Sequence, residues 1–167
     1  SPEEALAFLG KVKRSKKGAD LAVDVAKALG ISLWLMGGGK FSLPCTWLPV
    51  NRLIRPLGVV GHEKKVQHLG ASKGLLFPIR WDEPFGLVLI EAMACGTPVI
   101  AFNRGAVNEI IKNGETGFIV DTPQQMCSTV SRLDDIDRVA CRRHVEDHFS
   151  INQTANELKS LYARVLE

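Results

Sequence analysis

Residues 74–102 read GLLFPIRWDEPFGLVLIEAMACGTPVIAF, and this stretch decides the fold. It begins with a short apolar run, Gly74–Pro78, which predicts a buried strand. After a polar turn, Phe85–Cys95 is long enough for a helix, and Gly96 stands where a helix C-terminus favours glycine. A second apolar run, Val99–Phe102, follows at once and predicts another strand. A strand, a helix and a strand in succession indicate a parallel βαβ unit.

The same alternation continues on both sides of this unit. Further strands are predicted at Ala5–Val12, Ile31–Met36, Leu53–Leu57 and Gly117–Val120. Further helices are predicted at Ala19–Leu29, His62–Ala71 and Gly105–Ile111. Since the strands are apolar throughout and do not alternate with polar residues, we expect helices on both faces of the sheet. The sequence therefore predicts an α/β fold, a Rossmann-like α/β/α sandwich with a parallel sheet.

Two capping boxes mark helix starts in the last third of the chain. Thr122–Gln125 is the first, with proline at the first helical position, and Ser150–Gln153 is the second. The helix after the second box is amphipathic and closes the chain. By contrast, Lys40–Arg52 contains two prolines and an asparagine, which predicts a loop.

The composition excludes several classes of protein. With 46% hydrophobic and 23% charged residues, the 167-residue chain has the proportions of one globular domain. Its net charge of +3 is too small to indicate nucleic acid as a partner. No apolar run approaches the roughly 20 residues of a membrane helix, and association with a membrane stays open. The four cysteines show no metal-ligand spacing, so we expect reduced thiols, a cytoplasmic protein and no metal site.

Glu91 is the one residue of Phe85–Cys95 that is charged at neutral pH. A helix that is apolar on all sides is covered on all sides, so we expect Glu91 to be at least partly buried. An unpaired buried carboxylate is strongly unfavourable, and Glu91 therefore needs partners. Those partners are either structural, such as an arginine or backbone amides, or the hydroxyl pair of a ligand.

The polar turn before this helix has the features of an anion site. Free N–H groups at a helix start, together with the helix dipole, favour a phosphate, and Gly86 lets a ligand approach the backbone closely. Ligands of parallel sheets bind beyond the carboxyl ends of the strands, which directs attention to the loops after the first, fourth and fifth strands. The basic run Lys11–Lys17 follows the first strand, where it is either a solvated loop or a phosphate contact. Trp81 either covers a sugar or packs as a hinge.

The segment EPFGLVLIE, in which Glu83 and Glu91 stand eight positions apart, and the AMACGTPVIA that follows it carry a resemblance. They are similar to the E-x7-E signature of glycosyltransferase family 4, the retaining group 1 transferases of GT-B fold. The likeness covers nearly the whole chain, including Ala7–Leu21, Asn108–Val120 and the closing stretch Phe149–Leu166. It implies the C-terminal half of such an enzyme, which binds a nucleotide-diphospho-sugar donor for retaining transfer of a hexose to an acceptor.

The resemblance also implies roles for individual residues. Glu91 would bind the ribose hydroxyls of the nucleotide, and Glu83 would lie beside the transferred sugar. Lys11 and Lys17 would grip the diphosphate, although the family more often has arginine at Lys11, and lysine keeps the charge without the bidentate fork. The backbone expected to contact the sugar and the diphosphate belongs to Phe85, Gly86 and Leu87.

Members of this family carry a further, N-terminal domain that holds the acceptor, and residues 1–167 do not include it. We therefore expect residues 1–167 to be a single donor-binding domain that cannot transfer sugar alone, with the acceptor half on a longer chain or on another one. No carboxylate cluster with metal spacing is present, so we expect no metal or other cofactor besides the donor. Two other functions stay open: a sugar-nucleotide epimerase or phosphorylase of the same fold, and a non-catalytic nucleotide-binding module.

Overall fold

The computed structural model describes residues 4–38 and 52–166. These residues form a six-stranded sheet in which every strand pair is parallel. The strands are β1 Ala5–Leu9, β2 Ser32–Met36, β3 Ile54–Gly58, β4 Gly74–Phe77, β5 Val99–Phe102 and β6 Gly117–Val120. The α-helices are α1 Ala19–Leu29, α2 His62–Ala71, α3 Leu87–Ala94, α4 Val107–Ile110, α5 Pro123–Thr129, α6 Arg138–Phe149 and α7 Ile151–Leu166. Short 3-10 helices lie at Ser15–Lys17 and Val130–Asp135.

The strand order is β3-β2-β1-β4-β5-β6, which confirms the Rossmann-like parallel sheet. β1 and β4 are neighbours in the middle of the sheet, with Leu6 beside Gly74 and Ala7 beside Leu75. The chain winds outward from β1 in one direction and from β4 in the other. The loops that follow these two strands therefore diverge, and the crevice between them is the ligand position typical of such sheets.

The core lies on both faces of the central strands. Leu6, Leu75 and Ile100 are fully buried, which explains why the strands are apolar throughout. α1 packs with α5, and α3 packs with α2 and α6, so each face of the sheet has its own helical layer.

Most of the predicted elements are confirmed, four of them to the residue. These four are α1, α2, β5 and β6. The capping interpretations also hold: Gly30 ends α1 in the left-handed conformation, and the Thr122 hydroxyl accepts from the Gln125 N–H at 3.2 Å. The Ser150 hydroxyl accepts from the Gln153 N–H at 3.3 Å in the same way.

Three predicted elements are each three residues shorter in the structure. The first strand ends at Leu9 and not at Val12, because the chain turns where the Arg14 N–H bonds to the Lys11 carbonyl at 2.9 Å. The helix predicted at Phe85–Cys95 spans Leu87–Ala94, and the helix predicted at Gly105–Ile111 spans Val107–Ile110. Gly86 and Gly105 both have positive φ, at 93° and 57°, which a right-handed helix does not admit. The predicted loop Lys40–Arg52, apart from Arg52, lies outside the described residues.

Candidate functional site

The loops after β1 and β4 touch each other at a glycine. Gly18 has a φ of 74°, and a Cβ there would lie 1.9 Å from the Pro78 carbonyl oxygen. The position thus requires glycine, because φ is positive and because any side chain would clash with this carbonyl oxygen. This contact brings the end of the basic run beside the polar turn that precedes α3.

Lys17 and Glu83 meet where these two loops approach. The Lys17 Nζ donates to Glu83 Oε2 at 2.6 Å, and the side chains are 22% and 13% exposed. The Trp81 Nε1 donates to the same carboxylate oxygen at 3.1 Å. The sequence predicts Lys17 and Glu83 in one site, and the structure brings them into direct contact.

The Trp81 ring also contacts the ammonium groups of two lysines. Its ring lies 4.0 Å below the Lys16 Nζ and 4.9 Å from the Lys17 Nζ, both measured to the ring centroid. The ring also packs against the hydrophobic core. Lys13 and Arg14 are exposed, as expected for a solvated loop, whereas Lys16 contacts the Trp81 ring.

Arg80 is a site residue that the sequence analysis missed. Its Nη1 donates to the Ser15 carbonyl at 2.7 Å and to Asp20 Oδ1 at 2.8 Å, and its Nη2 donates to Asp20 Oδ2 at 2.6 Å. The hydrogen bond from Arg80 lowers the pKa of Asp20 below its ordinary value. No sequence signal distinguishes this arginine from a solvated one, because its partners lie 60 or more positions away.

The start of α3 is open toward this crevice. Gly86 is its N-cap, and the backbone N–H groups of Leu87 and Val88 have no acceptor within residues 4–38 and 52–166. The Phe85 and Leu87 side chains are 42% and 65% exposed. The expectation that this helix is covered on all sides is therefore wrong at its first turn, which lies at the carboxyl edge of the sheet.

Glu91 lies in the second turn of α3 and is partly buried, as predicted. Its Oε1 accepts from the Lys65 Nζ at 2.5 Å, and the Glu91 side chain remains 37% exposed. Lys65 comes from α2, and no role for it was predicted from the sequence. A pocket of about 380 Å³ adjoins the pair, with Leu69, Ala94 and Arg142 among its lining residues.

Lys11 stands apart from these contacts. It is exposed on the loop after β1, and the described part of the chain offers it no ion pair. The structure thus brings Lys17 and Glu83 together, places Gly86 and Leu87 at the neighbouring helix start, and leaves Lys11 at the rim.

The described residues also include three cysteines outside the Lys17–Glu83 site. Cys95, Cys127 and Cys141 are free thiols, and burial raises the pKa of Cys141 to about 11. Within the described ranges, no group of three His, Cys, Asp or Glu side chains is placed to hold a metal ion. None of the helices described has the length and apolar character needed to cross a membrane.

A doubly wound parallel sheet, with a basic loop and a glycine-capped helix start at its switch point, defines a Rossmann-like class of domain. Comparison with known proteins identifies the family. Residues 3–135 match the sequence model of the glycosyl transferases group 1, and the chain belongs to this family.

Two curated relatives match most of the chain. The chain is 32% identical to the D-inositol 3-phosphate glycosyltransferase of Corynebacterium efficiens, over 96% of this chain and 42% of that protein. It is 32% identical to the N-acetyl-alpha-D-glucosaminyl L-malate synthase of Bacillus anthracis, over 66% of this chain and 29% of that protein. The matches thus span less than half the length of these relatives.

Solved structures share the fold. AviGT4, a glycosyltransferase involved in avilamycin A biosynthesis, superposes with a TM-score of 0.80 at 26% identity, over 99% of this chain and 52% of that one. Anabaena Alr3699/HepE in complex with UDP and glucose superposes with a TM-score of 0.78 at 19% identity, over 95% of this chain and 48% of that one. The structural neighbours are glycosyltransferases of GT-B fold, which confirms the predicted fold class.

Proposed function

We propose that this chain is the donor-binding domain of a retaining glycosyltransferase, which transfers a hexose from a nucleotide-diphospho-sugar to an acceptor. The observation that carries the proposal is the Lys17–Glu83 pair beside the open start of α3, at the switch point of the sheet. Membership of the glycosyltransferase family and the UDP complex of a protein with the same fold support it.

In this proposal the diphosphate lies between the basic loop and the start of α3. Lys17 and Lys11 supply positive charge from one side, and the N–H groups of Leu87 and Val88 supply hydrogen bonds and the helix dipole from the other. When the sugar departs, negative charge develops on the diphosphate, and these groups stabilise it without reorganising. The lysines and the helix start offset that charge, so the reaction is proposed to need no metal ion.

The two glutamates contact opposite ends of the donor. Glu83 lies beside the hexose, where its carboxylate accepts from sugar hydroxyls while it also keeps the Lys17 ammonium in place. Glu91 accepts from the ribose hydroxyls, and Lys65 fixes the direction of its carboxylate. The backbone of Phe85, Gly86 and Leu87 lies between the two ends.

The acceptor is proposed to bind on a second domain that faces the carboxyl edge of the sheet. The matched relatives are more than twice as long as the stretch they share with this chain, which leaves room for such a domain. We propose that the chain works in the cytoplasm, where nucleotide sugars are available to an enzyme with free thiols.

Titration calorimetry with uridine, guanosine and adenosine diphosphates and their hexose conjugates tests the proposal. We expect one nucleoside diphosphate series to bind, with the sugar conjugate and the diphosphate both binding more tightly than the nucleoside. The absence of binding across the whole panel would contradict a donor-binding role.

A further inference from the structure

Arg80 connects the two loops that form the candidate site. Its backbone N–H donates to the Lys16 carbonyl at 2.8 Å, and its Nη1 donates to the Ser15 carbonyl at 2.7 Å. The guanidinium also binds the Asp20 carboxylate through both of its oxygens. One residue of the loop after β4 therefore holds the 3-10 helix Ser15–Lys17 and the first turn of α1.

These contacts flank both members of the Lys17–Glu83 pair. Lys17 is the last residue of the 3-10 helix that Arg80 holds, and Glu83 lies three positions after Arg80. A lysine side chain has four rotatable bonds and reaches one fixed position only when its backbone is fixed. Arg80 thus holds the segment of backbone from which the Lys17 side chain reaches Glu83.

The Arg80–Asp20 pair is as exposed as an ordinary surface ion pair. The Arg80 and Asp20 side chains are 38% and 47% exposed, and pairs of that kind contribute little to global stability. A bidentate arginine–carboxylate pair, however, fixes geometry as well as charge. Its effect should therefore appear in the local order of the loop more than in the melting temperature.

We propose that Arg80, together with Asp20, is a positioning residue that sets the affinity of the site for a diphosphate by holding Lys17 in place. The inference rests on the proposed function for its ligand, but the geometry of the loop can be tested without one. Arg80→Lys is the informative variant, because lysine keeps the charge and loses the planar fork.

The first experiment measures amide hydrogen exchange in the full chain without ligand. The Lys17 N–H bonds to the Arg14 carbonyl at 2.9 Å, and the Gly18 N–H bonds to the Ser15 carbonyl at 3.0 Å. In Arg80→Lys we expect both amides to exchange about ten-fold faster, because the 3-10 helix loses the hydrogen bond from the Arg80 Nη1 to the Ser15 carbonyl and keeps only the backbone bond at Lys16. The control is Arg142→Lys, which alters an exposed Arg142–Glu146 pair on α6. Unchanged exchange at Lys17 and Gly18 would overturn the inference.

The second experiment measures binding of the nucleoside diphosphate preferred by the wild type and of its parent nucleoside. We expect Arg80→Lys to lower the affinity for the diphosphate about ten-fold, which is the equivalent of one charge-assisted hydrogen bond. The affinity for the nucleoside should not change. In a Lys17→Ala background the same change should add no further loss, because Arg80 acts through Lys17. The inference would be overturned if the losses of diphosphate affinity were additive in the double variant. It would also be overturned if Arg80→Lys weakened binding of both ligands equally and lowered the melting temperature. A wild-type chain that binds no diphosphate contradicts the proposed function instead. The exchange experiment then still tests whether Arg80 orders the 3-10 helix Ser15–Lys17.

Discussion

Glu83 and Glu91 each lie against a lysine, but their surroundings differ. Glu83 is enclosed between Lys17 and Trp81 and is 13% exposed, whereas Glu91 faces a pocket and is 37% exposed. A carboxylate that retains free acceptor positions toward a pocket can bind ligand hydroxyls without losing its lysine. At the scale of single residues, the proposed ribose contact therefore rests on Glu91 and the proposed phosphate contact on Lys17.

We predict that Glu91→Ala weakens binding of a nucleoside diphosphate by roughly 1–3 kcal/mol, because the ribose hydroxyls lose a charged acceptor. Binding of inorganic pyrophosphate, which has no ribose, should hardly change. Calorimetry with both ligands checks this, with Glu63→Ala on the exposed side of α2 as the control for loss of one carboxylate. Equal weakening of both ligands would mean that Glu91 supports the helix and does not contact ribose.

Lys17→Ala and Lys11→Ala should each lower the affinity for diphosphates more than the affinity for the bare nucleoside. The loss should shrink as the salt concentration rises, because these contacts are largely electrostatic. Lys13→Ala is the matched control, since Lys13 is exposed in the same loop. If Lys11→Ala and Lys17→Ala bind the diphosphate as Lys13→Ala does, the basic run is a solvated loop.

At the scale of elements, the site depends on how closely the loops pack at the carboxyl edge. The turn after β5 lies against the turn before α3, where the Ala106 N–H donates to the Glu83 carbonyl at 2.9 Å. A Cβ at Gly105 would lie 2.3 Å from that carbonyl oxygen. The loops after β4 and β5 are therefore in direct contact, although no predicted site residue lies on the second of them.

We predict that Gly105→Ala destabilises the fold by more than the roughly 1–2 kcal/mol that a left-handed residue costs by itself, because the Glu83 backbone must shift. Gly114→Ala is the control: Gly114 also has a positive φ, of 84°, but a Cβ there meets nothing within 4 Å. Denaturant unfolding should show the larger loss for Gly105→Ala, and only this variant should also weaken diphosphate binding. Equal losses in the two variants would show that the contact with Glu83 is unimportant.

At the scale of the whole molecule, the proposed function requires the described residues to supply one wall of a cleft. The carboxyl edge of the sheet carries the basic loop, the start of α3 and the two lysine–glutamate pairs. The apolar side chains of α7 are also exposed, including Ile151, Tyr162 and Leu166. Transfer to an acceptor requires both reactants to be held within near-attack distance, and one wall cannot do this.

We predict that residues 1–167 alone fold and bind a donor with an affinity of about micromolar to millimolar, yet transfer no sugar, because the acceptor side of the cleft is missing. Adding an N-terminal domain of the family should restore transfer, measured as loss of donor and appearance of glycosylated acceptor. Glu83→Ala in that complete enzyme should lower turnover more than donor affinity. Sugar transfer by the 167 residues alone would contradict the two-domain proposal.

The sequence by itself determined the order and type of the six strands that the structure describes and of the four α-helices described between them. Apolar runs, helical periodicity, capping boxes and terminal glycines act within about one or two turns of the chain, so α1, α2, β5 and β6 could be bounded from local pattern. The likeness of the EPFGLVLIE segment to a known family also directed attention to the carboxyl edge of the sheet, where Lys17 and Glu83 meet. The starts of α3 and α4 were missed because a helical pattern does not reveal that Gly86 and Gly105 have positive φ.

Only the tertiary structure decided which side chains meet. Lys17 lies 66 positions from Glu83, Lys65 lies 26 positions from Glu91, and Arg80 lies 60 positions from Asp20. These pairs exist because β1 and β4 are neighbours in the sheet and because α2 packs beside α3. The hydrophobic core determines those long-range arrangements, and the polar partners follow from them without leaving a local signal in the sequence.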